Sequence, residues 1–208
     1  MKDRRVIHPS SLINPQKPGE TSRPKVARST TTNHLVQSLP MTLNPRVAVY
    51  TGSFDPITLG HLNVIERSSP LFERLIIGVG VNLEKTPLFS PEERVELVTR
   101  ATAHCANVEV RAFSELAVEF VRQCSALVMV RGVRPLTDIA SEFTMMMANR
   151  QLDPEIETVF LMADEELAHV SSSLIKQIAS LSTDERLARF VPGVIIPALR
   201  AKIPPAPS

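Results

Sequence analysis

From residue 46 onward, short aliphatic runs alternate with longer stretches whose apolar positions recur at helical spacing. Residues 46–50, 75–81, 108–111, 126–130 and 158–162 are rich in Val, Ile and Leu and read as strands. A helical pattern follows each run. In one, Ser90 can act as N-cap, Pro91 sits in the first turn where its missing N–H costs nothing, and Glu93 completes a capping box. In the next, Ala117, Phe120, Val121 and Cys124 fall at i, i+3, i+4 and i+7 and make one apolar face. Strands separated by helices need crossover connections, which favour a parallel sheet covered on both faces. The pattern therefore predicts an α/β fold: a Rossmann-like five-stranded parallel sheet with helices on both faces. Ligands of such sheets gather beyond the carboxyl ends of the strands, so the loops after the strands are where chemistry is expected.

Residues 1–44 break the pattern. They are rich in Ser, Thr, Pro and Arg, with Asp3 and Glu20 as their only acids, and they are expected to be a disordered extension. A basic, acid-poor leader has the composition of a transit peptide; Met41, just before the first strand, fits an upstream extension or a misassigned start equally well. A domain over 45–203 and a disordered tail over 204–208 complete the division. The chain has 208 residues, 43% of them apolar, enough for one core. Its net charge of +1 gives no reason to invoke nucleic acid or a membrane surface. Cys105 and Cys124 have no metal-ligand spacing and read as reduced structural thiols, which suits the cytoplasm. No apolar run is long enough to span a bilayer and no signal-peptide core precedes the first strand, so a soluble protein is expected.

Four loops carry candidate chemistry. Residues 51–61 include Gly52 and Gly60, which permit close backbone approach, and lead into a helix beginning near His61. A helix N-terminus attracts phosphate, and a histidine there can donate to a phosphoryl oxygen; a plain turn with a capping histidine fits the same residues. Lys85 follows the second strand, where a lone lysine is commonly solvated. After the fourth strand, Arg131 and Arg134 bracket Gly132 and offer forked donors for phosphate, although exposed surface arginines would look the same. Ser171, Ser172 and Ser173 open the last of these helices and can cap it or hold a triphosphate.

The run Gly52-Ser53-Phe54-Asp55-Pro56-Ile57-Thr58-Leu59-Gly60-His61 resembles the signature of the nucleotidyltransferase superfamily in its T-x-G-H form, and in particular the phosphopantetheine adenylyltransferases. The resemblance extends from about Arg46 to about Ile203 and recurs in each later loop. It implies the nucleotidyltransferase fold and transfer of the AMP moiety of ATP to 4′-phosphopantetheine, giving dephospho-coenzyme A and pyrophosphate. By the same resemblance His61, Lys85 and Arg131 are catalytic, and Ser53, Lys85, Ala117 and Arg131 bind phosphopantetheine. ATP contacts fall to Ser53, Phe54, His61, Gly132, Val133, Arg134, Glu142 and the stretch Leu167, Ala168, His169, Val170, Ser171, Ser172 and Ser173. Within that stretch His169 matches no catalytic role and is expected to be exposed, while Ala117 also lies on an apolar helix face, where core packing competes.

The phosphate of phosphopantetheine has a second pKa near ~6 and is already largely dianionic near neutrality, so in-line attack needs no enzymatic base. Mg2+ is expected to come with ATP, without a protein cage. The resemblance further implies a homohexamer and binding of coenzyme A as well as dephospho-coenzyme A. Thr51, Val170 and Leu167 replace a proline, an isoleucine and an aromatic frequent in the family, and the segment from Asp138 to Glu142 lacks the family's aromatic. Two alternatives are another small-molecule nucleotidyltransferase, such as a nicotinate mononucleotide adenylyltransferase, and a nucleotide-binding module without turnover.

Overall fold

The computed structural model describes residues 42–81, 86–133 and 139–206. Most of the predicted extension over 1–44 lies outside the described residues; its last residue, Asn44, opens the first strand. At the other end, the Ala206 amide donates to the Ser180 carbonyl at 2.7 Å and ties the chain back to the fold.

Five strands form one parallel sheet: β1 (Asn44–Gly52), β2 (Arg74–Gly80), β3 (Val108–Phe113), β4 (Ala126–Val133) and β5 (Glu157–Met162). Their spatial order is β3-β2-β1-β4-β5. The chain thus builds outward from β1 to one edge, returns to the other side of β1, and builds outward again. That reversal opens a crevice between the carboxyl ends of β1 and β4. Between the strands run α1 (Leu59–Ser68), α2 (Pro91–Ala101), α3 (Ala117–Gln123) and α4 (Ile139–Leu152), and after β5 come α5 (Ser172–Ile178), α6 (Asp184–Leu187) and α7 (Ile196–Lys202).

The central strands β1 and β2 are buried on both faces. Ala48 and Tyr50 of β1, with Leu75, Ile77 and Val79 of β2, pack against Val64 and Ile65 of α1, Leu97 and Val98 of α2, Ile175 of α5 and Leu199 of α7. Val47, Val49 and Ile76 point the other way and meet Val118, Phe120, Val121 and Cys124. A run of apolar residues with no polar alternation is what a doubly covered parallel strand requires. The predicted face of α3 is confirmed, with Ala117 partly buried against the same cluster. Ser90 and Glu93 form the predicted capping box at α2.

Most strands run one or two residues beyond or short of the sequence reading, and two of the differences bear on predicted site residues. β4 runs on to Val133 because its pairing with β5 continues to Val133 opposite Met162, so Arg131 and Gly132 are strand residues rather than loop residues. α1 starts at Leu59 instead of near His61, because Thr58 is its N-cap and His61 supplies the reciprocal half of the capping box.

Candidate active site

A cavity of about 270 Å³ lies at the carboxyl ends of β1 and β4, lined by residues of β1, the start of α1, β4, α4 and the start of α5. The turn after β1 shapes its floor. Phe54 is fully buried with φ 45°, and its ring meets Tyr50 edge-on at 5.5 Å and His61 at 5.1 Å. A Cβ on Gly52 would fall 2.9 Å from that ring, which is why glycine stands there. Phe54, expected among the ATP contacts, is therefore beneath the cavity wall; Ser53, beside it, is on the wall.

His61 also lines the cavity. Its Nδ1 accepts the Thr58 amide at 3.1 Å and lies 2.9 Å from Thr58 Oγ1, while its own amide donates to that oxygen at 3.3 Å. The capping histidine that the sequence allowed is thus present, and the capping bond itself orients the ring. A nitrogen that accepts an amide hydrogen carries none, so this network assigns the neutral ring's proton to Nε2 and makes that edge the donor.

Arg131 reaches into the cavity from β4 and is held on three nitrogens. Nε and Nη2 donate to the two oxygens of Glu142 at 2.7 and 2.8 Å, a forked pair, and Nη1 donates to Thr51 O at 3.0 Å and Thr51 Oγ1 at 2.9 Å. Both side chains are largely withdrawn from solvent. Burial opposes the charge on Arg131, but Glu142 outweighs it and raises the guanidinium's affinity for its proton. Both carboxylate oxygens of Glu142, a predicted ATP contact, are thus bonded to Arg131. Thr51, where the family often has proline, supplies a hydroxyl to the guanidinium that proline lacks. Gly132 also lines the cavity, and a Cβ there would stand 2.9 Å from the Tyr50 hydroxyl oxygen and 3.2 Å from Val64.

The third wall comes from the start of α5. Ser171 caps the helix, accepting from the Leu174 amide at 3.1 Å, and Ser172 Oγ donates to Pro56 O at 2.8 Å. Ser173 is exposed; it lines the cavity together with Ser171, Ser172, Leu167 and Val170. Ala168 and His169 do not line it. His169 is exposed, as expected, with its ring edge-on to Phe190 at 5.9 Å. Nor do Val133, buried in β4, and Ala117, packed on the second core cluster. Lys85 and Arg134 lie outside the described residues.

Two buried features beside the cavity escaped the sequence reading. Asp55 accepts from the amides of Leu88 and Phe89, each at 2.9 Å, and pairs with Lys176 of α5. Burial pushes its carboxyl up, but Lys176 and the two amides outweigh this and hold it below the ordinary carboxylate value. Arg94 of α2 is 3% exposed and donates to the carbonyls of Ser53 and Gly80. An Asp-Pro step reads as a turn, and an arginine inside a capped helix reads as its solvated face; nothing in the sequence alone says otherwise.

Comparison with known proteins bears on the same elements. A cytidylyltransferase-like family model matches residues 49–178, from β1 to the end of α5. A phosphopantetheine adenylyltransferase of Rhodopirellula baltica is 66% identical over 77% of this chain and 90% of that protein. One from Caulobacter vibrioides is 48% identical over 76% of this chain and 98% of that protein. Among solved structures, Plasmodium falciparum nicotinic acid mononucleotide adenylyltransferase, complexed with NaAD, covers 75% of this chain and 94% of its own at a TM-score of 0.58. With 12% identity, that likeness shows the fold alone. The rival reading within the superfamily thus has structural likeness without close sequence kinship. With a capped histidine, a held arginine and three serines around one crevice of a nucleotidyltransferase fold, the chain belongs to the phosphopantetheine adenylyltransferase family.

Proposed function

We propose that this chain transfers the AMP moiety of ATP to 4′-phosphopantetheine, giving dephospho-coenzyme A and pyrophosphate, in the cavity between β1, β4 and α5. The observation that carries this reading is the convergence of Ser53, His61, Arg131, Gly132 and Ser171–Ser173 on that one cavity from three separate stretches of sequence, 53–61, 131–132 and 171–173. The acceptor phosphate is itself the nucleophile, so the residues must position two anions and absorb charge rather than remove a proton. His61 Nε2–H donates to the α-phosphate as charge builds. Arg131, held by Glu142 and Thr51, offers its remaining N–H edge to the acceptor phosphate, and Ser53 orients it. Lys85 and Arg134 are assigned to the acceptor phosphate and to the β- and γ-phosphates. Ser173 and the amides at the start of α5 take the same end of ATP.

Among the described residues no three His, Cys, Asp or Glu side chains gather as a metal cage. Glu142, which lines the cavity, is engaged by Arg131, and Asp55, in the turn after β1, by Lys176. Mg2+, carried by the ATP phosphates and water, supplies charge neutralisation. Dephospho-coenzyme A, the product, and coenzyme A, which shares its groups, are proposed ligands of the same cleft.

A homohexamer is proposed as well. Phe143, Met145 and Met147 of α4 are each more than half exposed, and Ile139, Leu152, Val159 and Met162 are also exposed. So much apolar surface on one helix and the neighbouring edge strand is typical of a covered face. No helix among the described residues is long and apolar enough to cross a membrane, and a cytoplasmic location is proposed.

The deciding experiment incubates purified chain with ATP and Mg2+ and follows pyrophosphate. Release that depends on added 4′-phosphopantetheine supports the reading. Release with nicotinate mononucleotide instead would overturn the acceptor, and ATP binding without any release would overturn the activity.

A further inference from the structure

Arg94 stands where a buried charge is hardest to explain. A guanidinium stays protonated in any protein, and burying one without a carboxylate is costly. Yet Arg94 is 3% exposed, and no carboxylate among the described residues pairs with it. Its Nη1 donates instead to Ser53 O at 2.8 Å and Gly80 O at 2.9 Å, and its Nε is buried without a partner.

The placement of those two carbonyls is informative. The parallel ladder between β1 and β2 ends with Gly52 opposite Val79. Ser53 and Gly80 are the next residues on each strand, so the Arg94 nitrogen stands where the following rung would be. Ser53 lines the cavity, and Gly80 is the last residue of β2, from which the chain leaves toward Lys85. One side chain therefore joins the end of β2 to the backbone of a residue on the cavity wall. A neutral donor could make the same two bonds without the cost of an unmatched charge. The charge becomes useful if an anion binds on the far side of Ser53.

We propose that Arg94 is a positioning residue for phosphate recognition: it clamps the Ser53 backbone to the end of β2 and holds behind Ser53 a positive charge whose counter-ion is the bound substrate's phosphate. This rests on reading the cleft as the phosphate site. It assigns Arg94 no contact with the reacting atoms.

Two variants separate the parts. Arg94→Met removes donors and charge; Arg94→Lys keeps the charge but falls one bond short of the carbonyls. Each is compared with wild type in steady-state kinetics and in the thermal shift produced by inorganic pyrophosphate. For Arg94→Met, kcat/KM for phosphopantetheine falls about tenfold or more and the pyrophosphate-induced shift drops to about half or less. For Arg94→Lys most of the shift survives, while kcat/KM still falls by about threefold or more.

A variant with a lower melting temperature but unchanged kcat/KM and an unchanged pyrophosphate shift would reduce Arg94 to a staple and overturn the proposal. So would an Arg94→Lys chain matching wild type in both readouts, a comparison that decides the matter even if Arg94→Met fails to fold. Wild-type transfer alongside unaffected variants sinks the role of Arg94 alone. A wild-type chain that neither transfers nor responds to pyrophosphate sinks the cleft reading and this inference together.

Discussion

The two faces of the sheet are finished differently. On one, α1, α2, α5 and α7 close over β1, β2 and β4 in a large core whose members include Ile65, Leu75, Ile77, Val98, Ile175 and Leu199, all fully buried. On the other, the core is smaller and rests mainly on α3, while α4 keeps Phe143, Met145 and Met147 turned outward. The first face is completed by its own chain, as a crevice floor held within hydrogen-bond distances must be. The second leaves apolar side chains exposed, and another copy of the chain is their proposed partner. Under the proposed assembly, α4 would serve both ends, with Glu142 holding Arg131 in the cavity and its outward apolar side chains meeting the other copy.

Substitutions can break that division or sharpen it. The largest effect belongs to the cleft: His61→Ala removes a donor to developing charge, and kcat is expected to fall about 10²–10³-fold, or ~3–4 kcal/mol, with little change in ATP affinity. Equal losses in turnover and ATP binding would make His61 a binding group only.

Next comes Asp55→Ala, which strands the Leu88 and Phe89 amides and the partly exposed Lys176; a loss of roughly 2–4 kcal/mol in urea unfolding is expected. The pH dependence has a definite sign. Because the folded pKa of Asp55 is depressed, its stabilisation is complete above the unfolded carboxylate value near ~3.9 and disappears as pH falls through the lower folded value. Wild type should lose stability over that acid window, and Asp55→Ala should lose less.

Thr51→Val probes a smaller term. It deletes one of two Thr51 acceptors for Arg131 and should cost about 0.5–1.5 kcal/mol, read as a rise in KM for phosphopantetheine of roughly two- to tenfold at nearly constant kcat. Smallest for the isolated chain is Phe143→Ser with Met147→Ser. Exposed positions of this kind should shift stability by about 0.5 kcal/mol or less, while sedimentation should show smaller particles. Unaltered assembly in that double variant would leave the outward face of α4 without its proposed partner.

The sheet was legible because strands buried on both sides must be apolar throughout, as in Val47–Tyr50, and because Ser90, Pro91 and Glu93 mark a helix start by local chemistry alone. The end of β4 was not, since Arg131 and Gly132 look like loop residues until the pairing with β5 is known. Most of the predicted site residues within the described part do face the cavity, among them Ser53, His61, Arg131, Glu142 and Ser171–Ser173. Phe54 and Val133 turn into the core instead. What stayed hidden were groups whose meaning depends on distant backbone: Arg94 waits on carbonyls 41 and 14 residues earlier, and Asp55 on amides 33 and 34 residues later.

The order β3-β2-β1-β4-β5 has one further consequence. Under the proposed assignment, the half that grows toward β3 carries Lys85, which takes the acceptor phosphate. The half that grows toward β5 carries most of the nucleotide contacts together with Arg131, which holds the acceptor phosphate, with the turn after β1 serving both. Such a layout is modular up to one limit: evolution can rebuild the β3 wing for a new acceptor while the other goes on recognising the same donor, provided that acceptor keeps a phosphate for Arg131 to hold.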